Sequence, residues 1–332
     1  MRKKVTTMAL EGTLFRKLRQ DRGITLQQLA DKMNSVAFIG KFERGETRIS
    51  FDRLEHLLSR INVPFEEFLF LRATMRGVVP AVKMDMLRGF YITADYPLPL
   101  NQVWQVIAGH EGQETAADLA ALDKLAASLD QTTRWGQLLA IFVAISRANV
   151  ESNIQGRTDD TATLMTQFRQ MTRPVVSYLY GIENWGSFEL VIFQLFQGFL
   201  EPATTHQLLG TALAASAKEA PLPLVYKLRL NILASAFRTF IQFGHRPWAK
   251  ECLDQQADLV RNTGELMEAT TLRFQRGWYV MYAEDYDQGK EMCDQAISIF
   301  RILDQPVVVE RFLMWRDIII EGYHNPQAPK LI

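Results

Sequence analysis

The stretch Gly23-Ile24-Thr25-Leu26-Gln27-Gln28-Leu29-Ala30-Asp31-Lys32-Met33-Asn34-Ser35-Val36 decides how the first part of this chain folds. Thr25 carries the side-chain oxygen that a helix N-cap needs, and Leu26, Leu29, Ala30 and Met33 recur at the spacing of one helix face. Asn34-Ser35 then reads as a tight turn, because Asn tolerates left-handed backbone angles that most side chains avoid. A short third helix is expected from about Val36 to Glu43, closed by Arg44-Gly45. Upstream, Leu14 and Leu18 form the apolar stripe of a first helix that Asp21-Arg22-Gly23 ends. Downstream, Ser50 caps a fourth helix through Leu54, Leu57 and Leu58, and Pro64 stands at the first turn of a fifth with Phe65, Phe68 and Leu69. Five such short helices fit a helix-turn-helix domain, in which helix three lies in the major groove and helix two crosses the DNA backbone.

Charge points the same way. Residues 1–60 hold 13 Lys/Arg against 7 Asp/Glu, and residues 61–332 hold 24 against 30, so a net charge of zero conceals a basic head on an acidic body. That is the pattern of a nucleic-acid reader joined to a sensor or scaffold. The 332 residues, 48% of them apolar, suit two or three globular domains and exclude a disordered, collagenous or disulfide-stapled chain. Met1-Arg2-Lys3-Lys4 has the charge of a signal peptide, but Thr6, Thr7, Glu11 and Gly12 interrupt any apolar region behind it, so the expected location is the cytoplasm. The longest apolar run, Leu138 to Ile145, is far short of the roughly 20 residues of a membrane span. Cys252 and Cys293 lack CxxC spacing and read as packed thiols of a reducing compartment. His56, His110, His206, His245 and His324 show no ligand spacing, and there is no nucleophile triad, phosphate loop or HExxH pattern. No cofactor, no metal and no enzymatic activity are therefore expected.

Particular residues now resemble a family. Leu14-Phe15-Arg16-x-Leu18-Arg19, Gly23-Ile24-Thr25-Leu26, Ser35-Val36 and Lys41-Phe42-Glu43-Arg44-Gly45-Glu46 look like the Rgg/GadR/MutR family of bacterial transcriptional regulators. The resemblance returns at Ile182-Glu183-Asn184-Trp185-Gly186, at Leu230-Asn231-Ile232-Leu233 and at Gln295-Ala296-Ile297-Ser298-Ile299-Phe300, so it covers both halves of the chain. It implies a homodimeric, peptide-responsive quorum-sensing regulator that binds short signalling peptides on the concave face of its C-terminal domain.

Within the first domain, Ile39 and Phe42 are expected to anchor helix three, with Glu43 and Arg44 forming a polar clasp at its end. Arg16, Arg19, Lys41 and Arg48 are candidates for phosphate, as is the start of helix two with Gln27 and Gln28, where free N–H groups attract anions. Base reading falls to Ala37, Phe38 and Lys41. Ala37 and Phe38 depart from the small polar or amide residues usual in the family, and Gly40 replaces a Ser; Ala and Phe can touch a thymine methyl but offer no hydrogen-bond code. Packing of Phe38 against the domain itself is the structural alternative.

From residue 71 to 130 the text is irregular, punctuated by Pro80, Pro97, Pro99, Gly109 and Gly112, with helical stretches at Val82 to Phe90 and Ala116 to Leu129; Arg72, Arg76, Lys83 and Arg88 could draw in DNA or simply be solvated. Beyond it, longer helices start near Thr133, Ile182, Leu224, Glu265 and Pro306, at intervals of 49, 42, 41 and 41. Lys250-Glu251 and Asp254-Gln255 recur 40 positions later as Lys290-Glu291 and Asp294-Gln295. A two-helix unit of about 40 residues reads as a degenerate tetratricopeptide-like repeat, whose pairs bury their apolar faces only by stacking. Trp185, Phe188, Phe193, Phe196 and Phe199 read as core, and Met281, Met292 and Met314 as gap-fillers.

On the helix from Leu224, Asn231, Ser235, Arg238 and Gln242 share one face, opposite Leu230, Leu233, Phe237 and Ile241. An Asn amide can pair with the backbone of an extended peptide whatever its side chains, and an Arg can meet a carboxylate. Comparable positions on the other first helices are Gln137, Arg147 and Asn149, then Gln194 and Gln197, then Thr271, Gln275 and Trp278. A plain solvent-facing polar stripe is the alternative. The expected architecture is all-α: a lambda-repressor-like helix-turn-helix domain (residues 1–70), a linker with transitional helices (71–130), and a tetratricopeptide-like α-solenoid that senses peptide and dimerises (131–332). Its expected partners are double-stranded DNA with a two-fold-related operator, a short signalling peptide and a second copy of itself, with no membrane. A DNA-tethered protein-interaction scaffold without a peptide ligand is the competing reading.

Overall fold

Local chemistry sets the first five helices. The computed structural model of the protein describes residues 7–75, 115–155, 161–261 and 263–325. The chain divides into two units, Met1–Gln105 and Val106–Ile332. The first contains α1 (Thr7–Asp21), α2 (Leu26–Leu29), α3 (Val36–Glu43), α4 (Phe51–Arg60) and α5 (Phe65–Met75). Thr25 caps α2 through a capping box with Gln28, and Ser35 caps α3 by accepting from the Phe38 N–H at 3.2 Å. Helix α2 is a single turn rather than the longer helix expected through Met33. Its C-cap, Ala30, is extended, and the Asp31 carboxylate accepts the Met33 and Asn34 N–H groups at 2.9 Å each, an Asx turn that stops the helix and leaves Met33 45% exposed.

Phe15, Leu29, Ile39, Phe42, Leu57, Leu58, Ile61 and Phe68 bury almost all of their surface in one cluster. Each is worth roughly 1.5–3 kcal/mol relative to exposure. A close crossing adds a steric requirement: a Cβ on Gly12 would lie 2.0 Å from the Phe42 carbonyl oxygen, so α1 and α3 meet backbone to backbone. Arg72 on α5 pairs with Glu11 on α1 at 2.9 Å, which ties the domain together rather than presenting a cation to DNA. Arg76, Lys83, Arg88 and the stretch Val82 to Phe90 lie outside the described residues.

The second unit contains α6 (Ala116–Ser128), α7 (Arg134–Ile154), α8 (Thr161–Met171), α9 (Arg173–Tyr180) and α10 (Ser187–Phe196), which runs into a 3₁₀ turn at Gln197–Phe199. Then follow α11 (Pro202–Ala215), α12 (Pro223–Gln242), α13 (Arg246–Val260), α14 (Leu266–Ala283), α15 (Tyr286–Ile302) and α16 (Pro306–His324). Helices α9, α11, α12, α13 and α16 carry Pro in their first two positions, where its missing N–H is not needed. Helix α10 starts later than the expected Ile182, because residues 182–186 form a turn. There the Trp185 indole donates to the Ile182 carbonyl at 3.2 Å and its ring packs on Phe193, while the Glu189 carboxylate accepts from the Gly186 N–H at 2.9 Å and the Tyr178 hydroxyl at 2.8 Å.

Successive first helices pack on one another. Trp135 meets Phe188 and Phe142 meets Phe196 between α7 and α10, and Phe274 meets Phe312 between α14 and α16. Between α12 and α14, Lys227 pairs with Glu268 and Phe237 meets Trp278 edge-on at 5.5 Å; each pair spans 41 residues, the interval read from the sequence. The internal repeat recurs in geometry too. Lys250 reaches Asp254 at 2.8 Å and Lys290 reaches Asp294 at 3.8 Å, while Gln255 donates to Glu251 and Gln295 to Glu291, both at 3.0 Å. Helices α14 and α15 cross at Gly277 and Gly289, where a Cβ would come within 2.8 and 2.2 Å of the opposing backbone. Most of the aromatic and Met core expected here is buried or partly buried, but Met314 is 50% exposed. Burial pushes the Cys293 thiol up to about 12 and raises Cys252 as well, so neither is a ready thiolate. Among the described residues, no helix is long and apolar enough to cross a membrane.

Candidate functional site

Helix α3 divides into two faces. Ile39, Phe42 and Glu43 are buried, whereas Val36, Ala37, Lys41 and Arg44 are exposed. Phe38 is partly buried, packs beside the domain core and carries the Arg53 guanidinium 4.6 Å from its ring centroid. The side chain offered to a major groove is therefore a short apolar strip with Lys41 beside it. Sequence reasoning missed Arg53. Its signal is absent from local pattern, since the contact joins α4 to α3 across the turn.

Several expected DNA contacts lie at the surface. Arg16, Gln27, Ala37, Lys41 and Arg48 are exposed. Arg19 is not, and the expectation that it binds phosphate is corrected. Its guanidinium is buried and bidentate on Glu43, at 2.6 and 2.9 Å, and donates to the Ile24 carbonyl at 2.5 Å. The hydrogen bond to Glu43 raises the Arg19 pKa against the opposing effect of burial. The expected Glu43–Arg44 clasp is likewise two separate contacts: Glu43 holds Arg19, and Arg44 holds Glu46 at 2.6 Å. Arg44 also lies 3.3 Å from where a Gly40 Cβ would be, so the missing side chain leaves it room. In Gln28 the carbonyl is taken by the Thr25 N–H at 2.8 Å, and the Thr25 side chain caps the Gln28 N–H at 3.2 Å, so the amide NH₂ is the group left to donate. Behind α3, Asp31 binds His56 at 2.5 Å and Arg60 at 3.6 Å, fastening the turn to α4. The His56 hydrogen bond, with those from Asn34 and Met33, holds the Asp31 carboxyl down at about 2.

On the repeat unit the expected polar stripe is present on α12. Asn231, Ser235, Arg238 and Gln242 are all partly exposed, while Leu230, Leu233, Phe237 and Ile241 are buried. Arg238 donates to the Ser235 hydroxyl at 3.1 Å, and Gln242 donates to the Arg238 carbonyl at 3.0 Å. Among the described residues no carboxylate pairs with Arg238, and burial lowers its pKa. A guanidinium without a counter-charge can take one from a ligand carboxylate.

The other first-helix candidates divide. Asn149 is exposed and Gln194 is partly exposed, with its amide oxygen buried and lacking a donor. Arg147 is held by Asp123 at 2.7 Å and Glu151 at 2.9 Å, so it is no free carboxylate anchor. Gln197 has no exposed surface, because the 3₁₀ turn carries it into the interior. Gln275 and Trp278 are 5% and 3% exposed and belong to the packed floor; the Gln275 amide oxygen and the Trp278 indole N–H are buried without partners. Gln137 is exposed and donates to the Gln131 carbonyl at 3.0 Å.

A helix-turn-helix unit with an exposed third helix, in one chain with a unit of repeating helix pairs, defines a DNA-binding regulator with a separate helical domain. Residues 140–313 match the family model for the C-terminal domain of the HTH-type transcriptional regulator Rgg, and residues 15–68 match a helix-turn-helix model. The chain belongs to the Rgg family of transcriptional regulators. It is similar in fold to the SHP pheromone receptor Rgg2 of Streptococcus dysgalactiae, at 18% identity over 92% of this chain and 98% of that one, with a TM-score of 0.65. A transcriptional regulator of Listeria monocytogenes EGD-e superposes with a TM-score of 0.72 at 17% identity, covering 96% and 99% of the two chains. PrgX in its complex with iCF10 does so with a TM-score of 0.59 at 14% identity, covering 97% and 99%. None of the curated proteins matches the chain.

Proposed function

We propose that this Rgg-family regulator switches transcription in response to a short peptide held along the first-helix face of its repeat unit. The observation that carries the reading is Arg238, a partly exposed guanidinium that pairs with no carboxylate among the described residues, beside Asn231 and Ser235 on one helix face. Its natural counterpart is a peptide carboxylate, with the Asn231 amide pairing to peptide backbone. Similarity to a protein named as a pheromone receptor supports the same reading.

In this account residues 1–70 read DNA, residues 131–332 sense peptide and pair with a second copy, and the protein works in the cytoplasm. Arg16, Gln27, Gln28, Lys41 and Arg48 contact phosphate, and Ala37 and Phe38 lie against base edges. Arg238, Asn231, Ser235, Gln242, Asn149 and Gln194 line the peptide face, over the floor that contains Gln275. Two copies would address half-sites about one helical turn or a multiple apart. The peptide regulates only by favouring one arrangement of the two copies, since a ligand bound equally by both arrangements shifts nothing.

The test uses fluorescein-labelled synthetic peptides encoded by short open frames beside the gene. Anisotropy is measured with the wild-type protein and with Arg238→Ala and Asn231→Ala, and operator affinity is measured with and without peptide. Saturable binding that Arg238→Ala weakens by about tenfold or more is expected, the loss of a charge-assisted hydrogen bond. Peptide binding indifferent to both substitutions, or operator affinity indifferent to every peptide, would instead favour the DNA-tethered scaffold.

A further inference from the structure

A second polar site lies among the second helices of the repeat unit, on elements that the peptide face does not use. Helices α8 and α9 and the start of α11 line an open pocket of about 590 Å³ whose lining includes Arg169, Arg173, Ser177 and Thr204. That is within the range of roughly 300–1,000 Å³ usual for small-molecule pockets. Val176 and Leu200 add apolar wall.

The two arginines are in different states. Arg169 gives Nη1 to the Glu201 carboxylate at 2.7 Å, while its Nε–H is buried with no acceptor. Arg173 is exposed, and no side-chain partner holds it among the described residues. Glu201 is the single acidic side chain in the described lining, so two guanidinium charges face one carboxylate.

The chemistry selects the ligand. Glu201 already accepts from Arg169, and Arg173 is a second cation that no carboxylate holds among the described residues. The remaining donors come from three elements: Arg169 on α8, Arg173 and Ser177 on α9, and Thr204 on α11. Donors distributed in this way suit a tetrahedral, doubly charged oxyanion, and arginine is well matched to phosphate. We propose that this cavity is a binding site for a small phosphorylated metabolite. The phosphate lies between Arg169 and Arg173, and the hydroxylated remainder lies against Ser177 and Thr204. The proposal does not depend on the peptide reading, because the residues are different.

The test is calorimetric titration of the full-length protein with inorganic phosphate and with glucose 6-phosphate, using citrate and chloride at matched ionic strength as controls. Both phosphates are expected to bind saturably, glucose 6-phosphate more tightly. Arg173→Gln, at an exposed position that leaves the fold unburdened, is expected to weaken both by about tenfold or more, the loss of one charge-assisted contact. Ser177→Ala is expected to weaken glucose 6-phosphate alone. Absence of saturation with both phosphates, or binding unaffected by Arg173→Gln, overturns the proposal. Citrate binding as tightly as phosphate overturns it in favour of a carboxylate site. Arg173→Gln lowering operator affinity and its salt dependence overturns it in favour of a DNA contact.

Discussion

Arg19 and Arg238 are arginines on amphipathic helices of the two units, and they have opposite fates. Arg19 is buried and bidentate on Glu43. Arg238 is partly exposed, and among the described residues it meets the Ser235 hydroxyl and no carboxylate. The first is a structural rivet that joins α1 to the end of α3. The second is an unmatched charge on a face otherwise lined by amides and a hydroxyl. In a domain that must hold one helix rigidly against DNA, internal charges are closed on one another. In the domain proposed to receive a guest, one is left open, which is where a perturbed group points to function rather than stability.

The largest expected effect breaks the rivet. Arg19→Ala leaves the Glu43 carboxylate buried without its partner and should destabilise the first unit by about 3–5 kcal/mol, read by urea unfolding. Arg238→Met should show the reverse sign, a stability unchanged or raised, because it removes a cation that pairs with no carboxylate among the described residues. If both substitutions destabilise equally, the contrast between the two arginines is wrong.

Glycines sharpen the comparison at a smaller scale. Gly12→Ala would set a Cβ 2.0 Å from the Phe42 carbonyl oxygen, so α1 and α3 must separate. A cost of about 1–3 kcal/mol is expected, with DNA affinity falling alongside. Gly210 in α11 meets nothing within 4 Å. Gly210→Ala should therefore stabilise by about 0.4–1 kcal/mol through the unfolded chain, seen as a higher Tm.

On the DNA side, Lys41→Ala should weaken binding across sequences and lower the salt slope by about 1, as the loss of a single phosphate contact does. An unchanged slope would move Lys41 off the backbone. Arg53→Ala frees one face of Phe38 and is expected to alter base preference more than salt dependence.

The smallest effect is on acid stability. The Asp31 carboxyl is held from its ordinary 3.8 down to about 2, first by the His56 hydrogen bond. A depressed folded value means that the contribution is fully present above the ordinary value and is lost as pH falls through the folded one. The first unit should thus lose stability between pH 3.8 and about 2, and Asp31→Asn should flatten that segment of a Tm profile.

Much of this architecture was legible from local pattern. Thr25 and Ser35 cap where their side-chain oxygens predict, and the helix expected near Pro306 starts there. The 41-residue interval reappears as the spacing of Lys227 to Glu268 and Phe237 to Trp278. The errors share a cause. The spacing of Met33 fits a helix face, but the Asp31 side chain competes for the backbone N–H groups. Gln197 has the polarity of a groove residue, yet a 3₁₀ turn rotates it inward.

What the sequence by itself determined is the order and type of the helices and the apolar face of each, because caps and periodicity act over a few residues. Which charges are available for a partner was decided by tertiary structure alone. Arg19 meets a carboxylate 24 positions away, and so does Arg147. Arg238 meets none among the described residues. A side chain's free valence depends on what the fold brings beside it, and that neighbour is not adjacent in the chain.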